Sequence, residues 1–135
     1  MNAIYLTEKD YQRLLELVQA QRAKGQVDKN VIALAEELKR AVRVPAEKIL
    51  ESVVTMNSRV VLEEKKTGSE RELTLVYPGE ANIHEMKISV LAPVGTAILG
   101  CKVGDVVEWP VPAGHAKYIV KQVVFQPEAA GVVHL

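Results

Sequence analysis

The first third of the chain carries apolar residues at helical spacing. Four of them recur at i, i+3, i+4 and i+7, the stripe of an amphipathic helix: Tyr11, Leu14, Leu15 and Val18. Thr7 and Asp10 precede this stripe in a capping-box pattern, and Gly25 interrupts it. A second stripe follows at similar spacing: Val31, Leu34, Ala35, Leu38 and Val42. The pattern predicts an antiparallel helical hairpin, a short coiled coil, over residues 1–48, ending near Pro45.

After Pro45 the hydrophobic period changes to two, which is typical of strands. Polar turns and Pro-Gly pairs divide this region into five predicted strands: 53–62, 70–77, 87–91, 106–109 and 117–125. Pro93 can begin one short helix, and Gly100 can close it. The fold class predicted for the chain is therefore α+β. A second domain over residues 49–135 is expected to hold a mostly antiparallel sheet and that one short helix.

Composition narrows the class of protein. The chain has 135 residues, of which 48% are hydrophobic and 25% charged, as in folded soluble proteins. Seventeen basic residues balance seventeen acidic ones, so no direct, specific nucleic-acid binding is expected. No leader and no apolar run long enough to span a membrane is apparent, which predicts a cytoplasmic protein with no membrane partner.

Candidate chemistry is sparse. The single cysteine, Cys101, is interpreted as a small buried residue rather than a catalytic thiol. The three histidines, His84, His115 and His134, lie in predicted loops and the tail, without metal-ligand spacing, and are expected to be exposed. No nucleophile elbow and no phosphate-binding loop is present. These residues predict no catalytic site, metal or cofactor, and favour an interaction protein over an enzyme.

Several strings resemble a known family. The segment APVGTAILGCKVGD at residues 92–105 resembles the C-terminal signature of the bacterial Gre transcript-cleavage factors. The strings VVTMNSRV, LVYP and QPEAAG, at residues 53–60, 75–78 and 126–131, are similar to short-hairpin members of that family, the regulators of nucleoside diphosphate kinase. The resemblance implies an FKBP-like sheet domain docked at the rim of the RNA polymerase secondary channel, with the hairpin entering that channel.

The hairpin tip departs from the Gre pattern. The resemblance implies two acidic residues there that help hold a catalytic metal, but Gln26 and Lys29 occupy the corresponding positions. Asp28 remains between them and is interpreted as the N-cap of the second helix. A first helix of about sixteen residues is about 24 Å long, which is shorter than the Gre hairpin. The hypothesis is a polymerase-binding regulator that competes with Gre factors without stimulating cleavage.

The resemblance also nominates contact residues. Leu91, Ala92 and Pro93 match the loop that the family uses against the polymerase, although the same residues could form a buried strand-to-helix corner. Asn57 and Arg59 belong to the family signature and are interpreted either as a turn at the junction of the two domains or as a partner contact.

Three other functions remain open from the sequence. The chain could be a Gre-type cleavage factor, or another protein-binding module. It could also be a peptidyl-prolyl isomerase, which needs an aromatic-lined pocket, whereas Trp109 and Phe125 are expected in the core. The oligomeric state is expected to be a monomer or a weak dimer.

Overall fold

The fold places two helices between two short strands, followed by a five-stranded sheet. The structure, a computed structural model, describes residues 3–132, so His134 lies outside the described residues. Its helices and strands are β1 (Tyr5–Thr7), α1 (Glu8–Ala23), α2 (Lys29–Arg40), β2 (Val42–Val44), β3 (Arg59–Glu64), β4 (Glu70–Val76), β5 (Lys87–Ser89), α3 (Pro93–Ile98), β6 (Val106–Val111), β7 (Gly114–Phe125) and α4 (Pro127–Ala130). Within residues 3–132 there is no helix with the length and hydropathy that a membrane span requires.

Both predicted helices of the hairpin are confirmed, together with their caps. The Thr7 hydroxyl oxygen accepts a hydrogen bond from the Asp10 amide at 3.1 Å and begins α1. Helix α2 ends at Arg40, so the expectation that Val42 continues its apolar stripe is wrong. Val42 instead begins β2, because its amide donates to the Ile4 carbonyl at 2.9 Å. The parallel pairing of β1 with β2 frames the hairpin, and the sequence pattern did not predict it.

The five-stranded sheet has the order β5-β4-β3-β7-β6. All neighbouring pairs are antiparallel except β4 with β5, which confirms a mostly antiparallel sheet. Helix α3 runs from Pro93 to Ile98 and confirms the predicted short helix, whereas α4 was not predicted.

One predicted strand is wrong over half its length. Residues 53–58 form an isolated bridge and a tight turn, and regular pairing starts only at Arg59. In that turn the Asn57 amide donates to the Leu75 carbonyl at 2.6 Å, and the Ser58 amide donates to the Thr55 carbonyl at 3.0 Å. Alternation of apolar residues does not distinguish this turn from a strand.

The hairpin shares one hydrophobic core with the sheet. Leu14 of α1 and Leu34 of α2 are fully buried, in the same cluster as Leu62, Leu75 and Val120 of the sheet. Two packed helices leave part of their apolar faces uncovered, and the sheet domain covers that part. The hairpin therefore packs along the sheet domain. The domain boundary near residue 48 stays a prediction.

Candidate interaction surface at the hairpin tip and the Leu91 loop

The hairpin tip is built by a helix C-cap followed directly by an N-cap. The Gly25 amide donates to the Arg22 carbonyl at 3.0 Å, and the Gln26 amide donates to the Gln21 carbonyl at 2.9 Å. This pair of bonds is the Schellman motif, which needs a left-handed residue at its centre. Gly25 supplies it with φ of 71°. The tip is consequently a rigid turn, and Gln26 is exposed on it.

Asp28 starts α2. Its Oδ1 accepts hydrogen bonds from the amides of Asn30 and Val31, each at 3.0 Å, which confirms the predicted N-cap. Lys29 is exposed beside it. The described residues contain no group of three or more His, Cys, Asp or Glu side chains placed to hold a metal. One oxygen of Asp28, the only carboxylate at the tip, is therefore hydrogen-bonded to backbone amides. The cationic Lys29 is its neighbour in the chain.

The segment between β5 and α3 contains Leu91, Ala92 and Pro93, here called the Leu91 loop. The Ser89 hydroxyl oxygen accepts from the Leu91 amide at 3.0 Å, and the Ser89 carbonyl accepts from the Ala92 amide at 2.9 Å. Pro93 occupies the first turn of α3, where a missing N–H costs nothing. Leu91 and Ala92 are half-buried and Pro93 is exposed, so the loop is a tight corner that still presents a surface.

Gly95 holds α3 against that corner. A Cβ at Gly95 would lie 2.2 Å from the Ser89 carbonyl oxygen, so any residue other than glycine would clash there. The Thr96 hydroxyl also donates to the Val90 carbonyl at 2.6 Å. The start of α3 therefore fixes the shape of the Leu91 loop.

Leu91 lies beside the hairpin tip. An open groove of about 460 Å³ is lined by the tip and, from the Leu91 loop, by Leu91; its residues are Gln21, Gly25, Gln26, Val27, Asp28, Asn30, Val31 and Leu91. A second, more apolar groove of about 650 Å³ continues from Asn30 between α2, α3 and β6, and includes Pro93 and Trp109. The structure thus joins two sets of predicted residues that lie more than sixty positions apart in the chain.

Asn57 and Arg59 lie in a different groove. Asn57 has φ of 68° and forms the left-handed position of the turn before β3. Arg59 is exposed and pairs with Glu72 at 3.6 Å across the sheet. Both line an open groove of about 380 Å³ with Lys87 and Phe125, and neither tip nor Leu91-loop residues line it. The turn role is present in the structure, and a partner contact stays a prediction.

The remaining candidates behave as structural or surface residues. Cys101 is buried, which confirms the interpretation as a small buried residue, and burial raises the pKa of its thiol to about 12. His84 and His115 are exposed, as expected.

A buried carboxylate was missed by sequence reasoning. Asp10 is 4% exposed, and its Oδ2 accepts a hydrogen bond from the Met56 amide at 3.1 Å. Burial is the main cause that raises its pKa to about 6. The available signal was its spacing, because Asp10 precedes Leu14 and Val18 by four and eight positions and so lies on the apolar stripe.

Comparison with known proteins agrees with this architecture. A family model described as "Transcription elongation factor, GreA/GreB, C-term" matches residues 49–125, which is more than half of the chain. The chain belongs to the GreA/GreB family of transcription elongation factors. A second family model, the Rnk N-terminus, matches residues 2–44. The mixed α and β architecture with two long helices is thus a Gre-like fold.

Individual relatives cover most of the chain. The regulator of nucleoside diphosphate kinase from Escherichia coli strain K12 is 45% identical over 100 residues, which are 73% of this chain and 74% of that protein. GreA from Syntrophomonas wolfei is 37% identical over 108 residues, covering 80% and 68% of the two chains. The solved structure of the GreA/GreB elongation factor from Nitrosomonas europaea has a TM-score of 0.75 and 36% identity, and the match covers 93% of this chain and all of that one.

Proposed function

We propose that this protein regulates transcription by binding RNA polymerase at its secondary channel without stimulating transcript cleavage. Membership of the GreA/GreB family supports polymerase as the partner. The observation that carries the proposal is a shared surface: Leu91 lines one groove with the tip, and Pro93 lines the adjoining groove with Lys29 and Asn30. A partner that docks on Leu91 and Pro93 therefore meets tip residues as well. We also propose that the sheet domain has an FKBP-like arrangement and that the protein is cytoplasmic.

The tip argues against cleavage chemistry. Mg²⁺ takes oxygen ligands, and an ammonium group beside them repels it. At the tip, the Gln26 side chain is a neutral amide and the Lys29 side chain is a cation. Asp28 Oδ1 already accepts hydrogen bonds from two backbone amides. Helix α1 has 16 residues and is about 24 Å long, which limits the reach of the hairpin. Charge and reach together favour a channel occupant that competes with cleavage factors.

An isomerase function finds less support. Such an enzyme needs accessible aromatic rings around a proline-sized pocket. Trp109 is 7% exposed and stacks on Tyr118 with ring centroids 4.9 Å apart, so its ring packs in the core as expected. Phe125 is half-buried rather than fully in the core.

The docking proposal is tested by retention of core polymerase on the immobilised protein. Wild type should retain polymerase, and Pro93→Asp should lose most of it, because a carboxylate replaces an apolar contact on the exposed corner. Pro78→Asp is the matched control, since Pro78 also occupies the first position of a helical turn and is not among the residues that line the tip groove. Equal retention of both variants and wild type would contradict the docking site.

The absence of cleavage is tested separately on a backtracked elongation complex. Addition of the protein should leave the transcript length unchanged, and it should slow the shortening caused by an added GreA. Shortening of the transcript by the protein alone would overturn this half of the proposal and leave the docking half intact.

A further inference from the structure

The first turn of α1 is joined to the sheet domain by one buried carboxylate. Asp10 faces the turn before β3, where its Oδ2 accepts the Met56 amide at 3.1 Å. The Asp10 amide is itself bonded to Thr7, so both ends of the residue are held. Asp10 therefore couples the base of the hairpin directly to the backbone of the sheet domain.

The contact of Asp10 with the Met56 amide is here called the joint. Three strings that carry the family resemblance converge on it. The Thr55 hydroxyl donates to Glu128 Oε1 at 2.7 Å, which ties the turn to α4. The Ser58 hydroxyl oxygen lies 2.9 Å from the same Thr55 oxygen and also accepts the Thr55 amide. Tyr77, which follows β4, buries its hydroxyl near the Asp10 carboxyl. Residues from three segments of the sheet domain thus lie around one carboxylate of α1.

The influences on the pKa of Asp10 act in opposite directions. Burial is the largest influence and favours the neutral carboxyl, and Glu128 of α4 acts in the same direction. The Met56 amide favours the ionised form, as do the two cations of its own helix, Arg13 and Lys9. Tyr77 stays neutral, because burial and the nearby Asp10 raise the pKa of its hydroxyl. The result is a folded-state pKa of about 6, against 3.8 for an exposed aspartate.

We propose that Asp10 makes the joint between the hairpin and the sheet domain sensitive to protonation. With the carboxyl neutral, the joint is held closed more firmly than with the carboxylate. The physical reason is linkage, since opening the joint exposes Asp10 to water, where it ionises freely. The neutral carboxyl keeps an oxygen for the Met56 amide and gains an O–H donor in a site that already holds the Glu128 carboxylate and the Tyr77 hydroxyl. This property does not depend on polymerase binding.

The joint lies at the end of α1 opposite the tip. Helix α1 has 16 residues and is about 24 Å long, and it leads from Asp10 to the tip at Gly25. Protonation of Asp10 therefore acts on the base of the hairpin.

The first test is a carbon-13 NMR titration of the Asp10 carboxyl in the wild-type protein. The expected midpoint is about 6. Glu128→Gln should lower that midpoint, because it removes the nearby negative charge and keeps an oxygen for the Thr55 hydroxyl. A wild-type midpoint of about 4.5 or below, typical of exposed carboxyls, would overturn the proposal.

The second test is hydrogen exchange of the Met56 amide. Its protection factor should fall about tenfold from about pH 5 to about pH 7.5 in wild type. The reason is that the pKa of Asp10 is about 6 when the joint is closed and 3.8 when it is open. Asp10→Asn should abolish this dependence. Glu8→Gln, a matched change in the same helical turn at an exposed residue, should keep it. A flat wild-type profile, or the same slope in Asp10→Asn, would contradict a proton-sensitive joint.

Discussion

The Asp10 carboxylate accepts a hydrogen bond from the Met56 amide across 46 positions of the chain, at 3.1 Å. This contact connects the start of the first helix to the turn that precedes the sheet. The same turn carries Asn57, which lines the open groove shared with Arg59. It is a long-range link between a polar residue on an apolar stripe and a backbone amide.

The free energy of unfolding should depend on pH through Asp10. Its folded pKa of about 6 lies above the unfolded value of 3.8, so the native state binds more protons between these values. Stability therefore rises as the pH falls through 6 towards 3.8, by on the order of 1–3 kcal/mol from this group. Urea denaturation between about pH 4.5 and about pH 7.5 measures this dependence. Asp10→Asn should be more stable than wild type at the higher pH, and loss of that difference at the lower pH is the internal control.

The left-handed turn at Asn57 should tolerate only a few residue types. Its φ of 68° suits Asn and Gly, whereas a β-branched side chain is strained there. Asn57→Val should lower the free energy of unfolding by about 1–2 kcal/mol, and Asn57→Gly should change it by less. Chemical denaturation of the two variants decides this. Equal losses would show that the Asn57 side chain, rather than its backbone conformation, stabilises the turn.

Gly95 of α3, which packs against the strand-to-helix corner, should not tolerate a side chain. A Cβ at Gly95 would lie 2.2 Å from the Ser89 carbonyl oxygen, so Gly95→Ala must move α3 away from β5. We expect a loss of about 1–3 kcal/mol and weaker retention of core polymerase. Gly79→Ala is the control, because nothing lies within 4 Å of its Cβ and its φ is not positive. Wild-type behaviour of both variants would show that the corner is loosely packed.

Removing the N-cap at the tip should destabilise α2 locally. Asp28→Ala leaves the amides of Asn30 and Val31 without their acceptor and should cost about 1 kcal/mol. Asp28→Ser should recover most of that loss, because a hydroxyl oxygen can also cap a helix. Thermal or urea unfolding followed by circular dichroism measures both. A neutral effect of Asp28→Ala would mean that the carboxylate is free for another role.

Local patterns predicted much of the fold. The helical period over Leu14 and Val18 defined α1, and Pro93 with Gly100 defined the short helix, because both signals act within one or two turns of chain. The alternation over residues 53–58 misled, since a turn held by long-range bonds carries the same apolar residues as a strand. The candidate residues were found individually, but not their arrangement.

The sequence by itself determined the helical hairpin, the caps at Thr7 and Asp28, and the lack of acidic residues at positions 26 and 29. These features depend on neighbours in the chain and on side-chain chemistry. Only the tertiary structure decided that β1 pairs with β2, that the tip lies beside Leu91, and that Asp10 is buried against Met56. Such contacts join distant segments, and their geometry follows from packing the whole core, which no local period encodes.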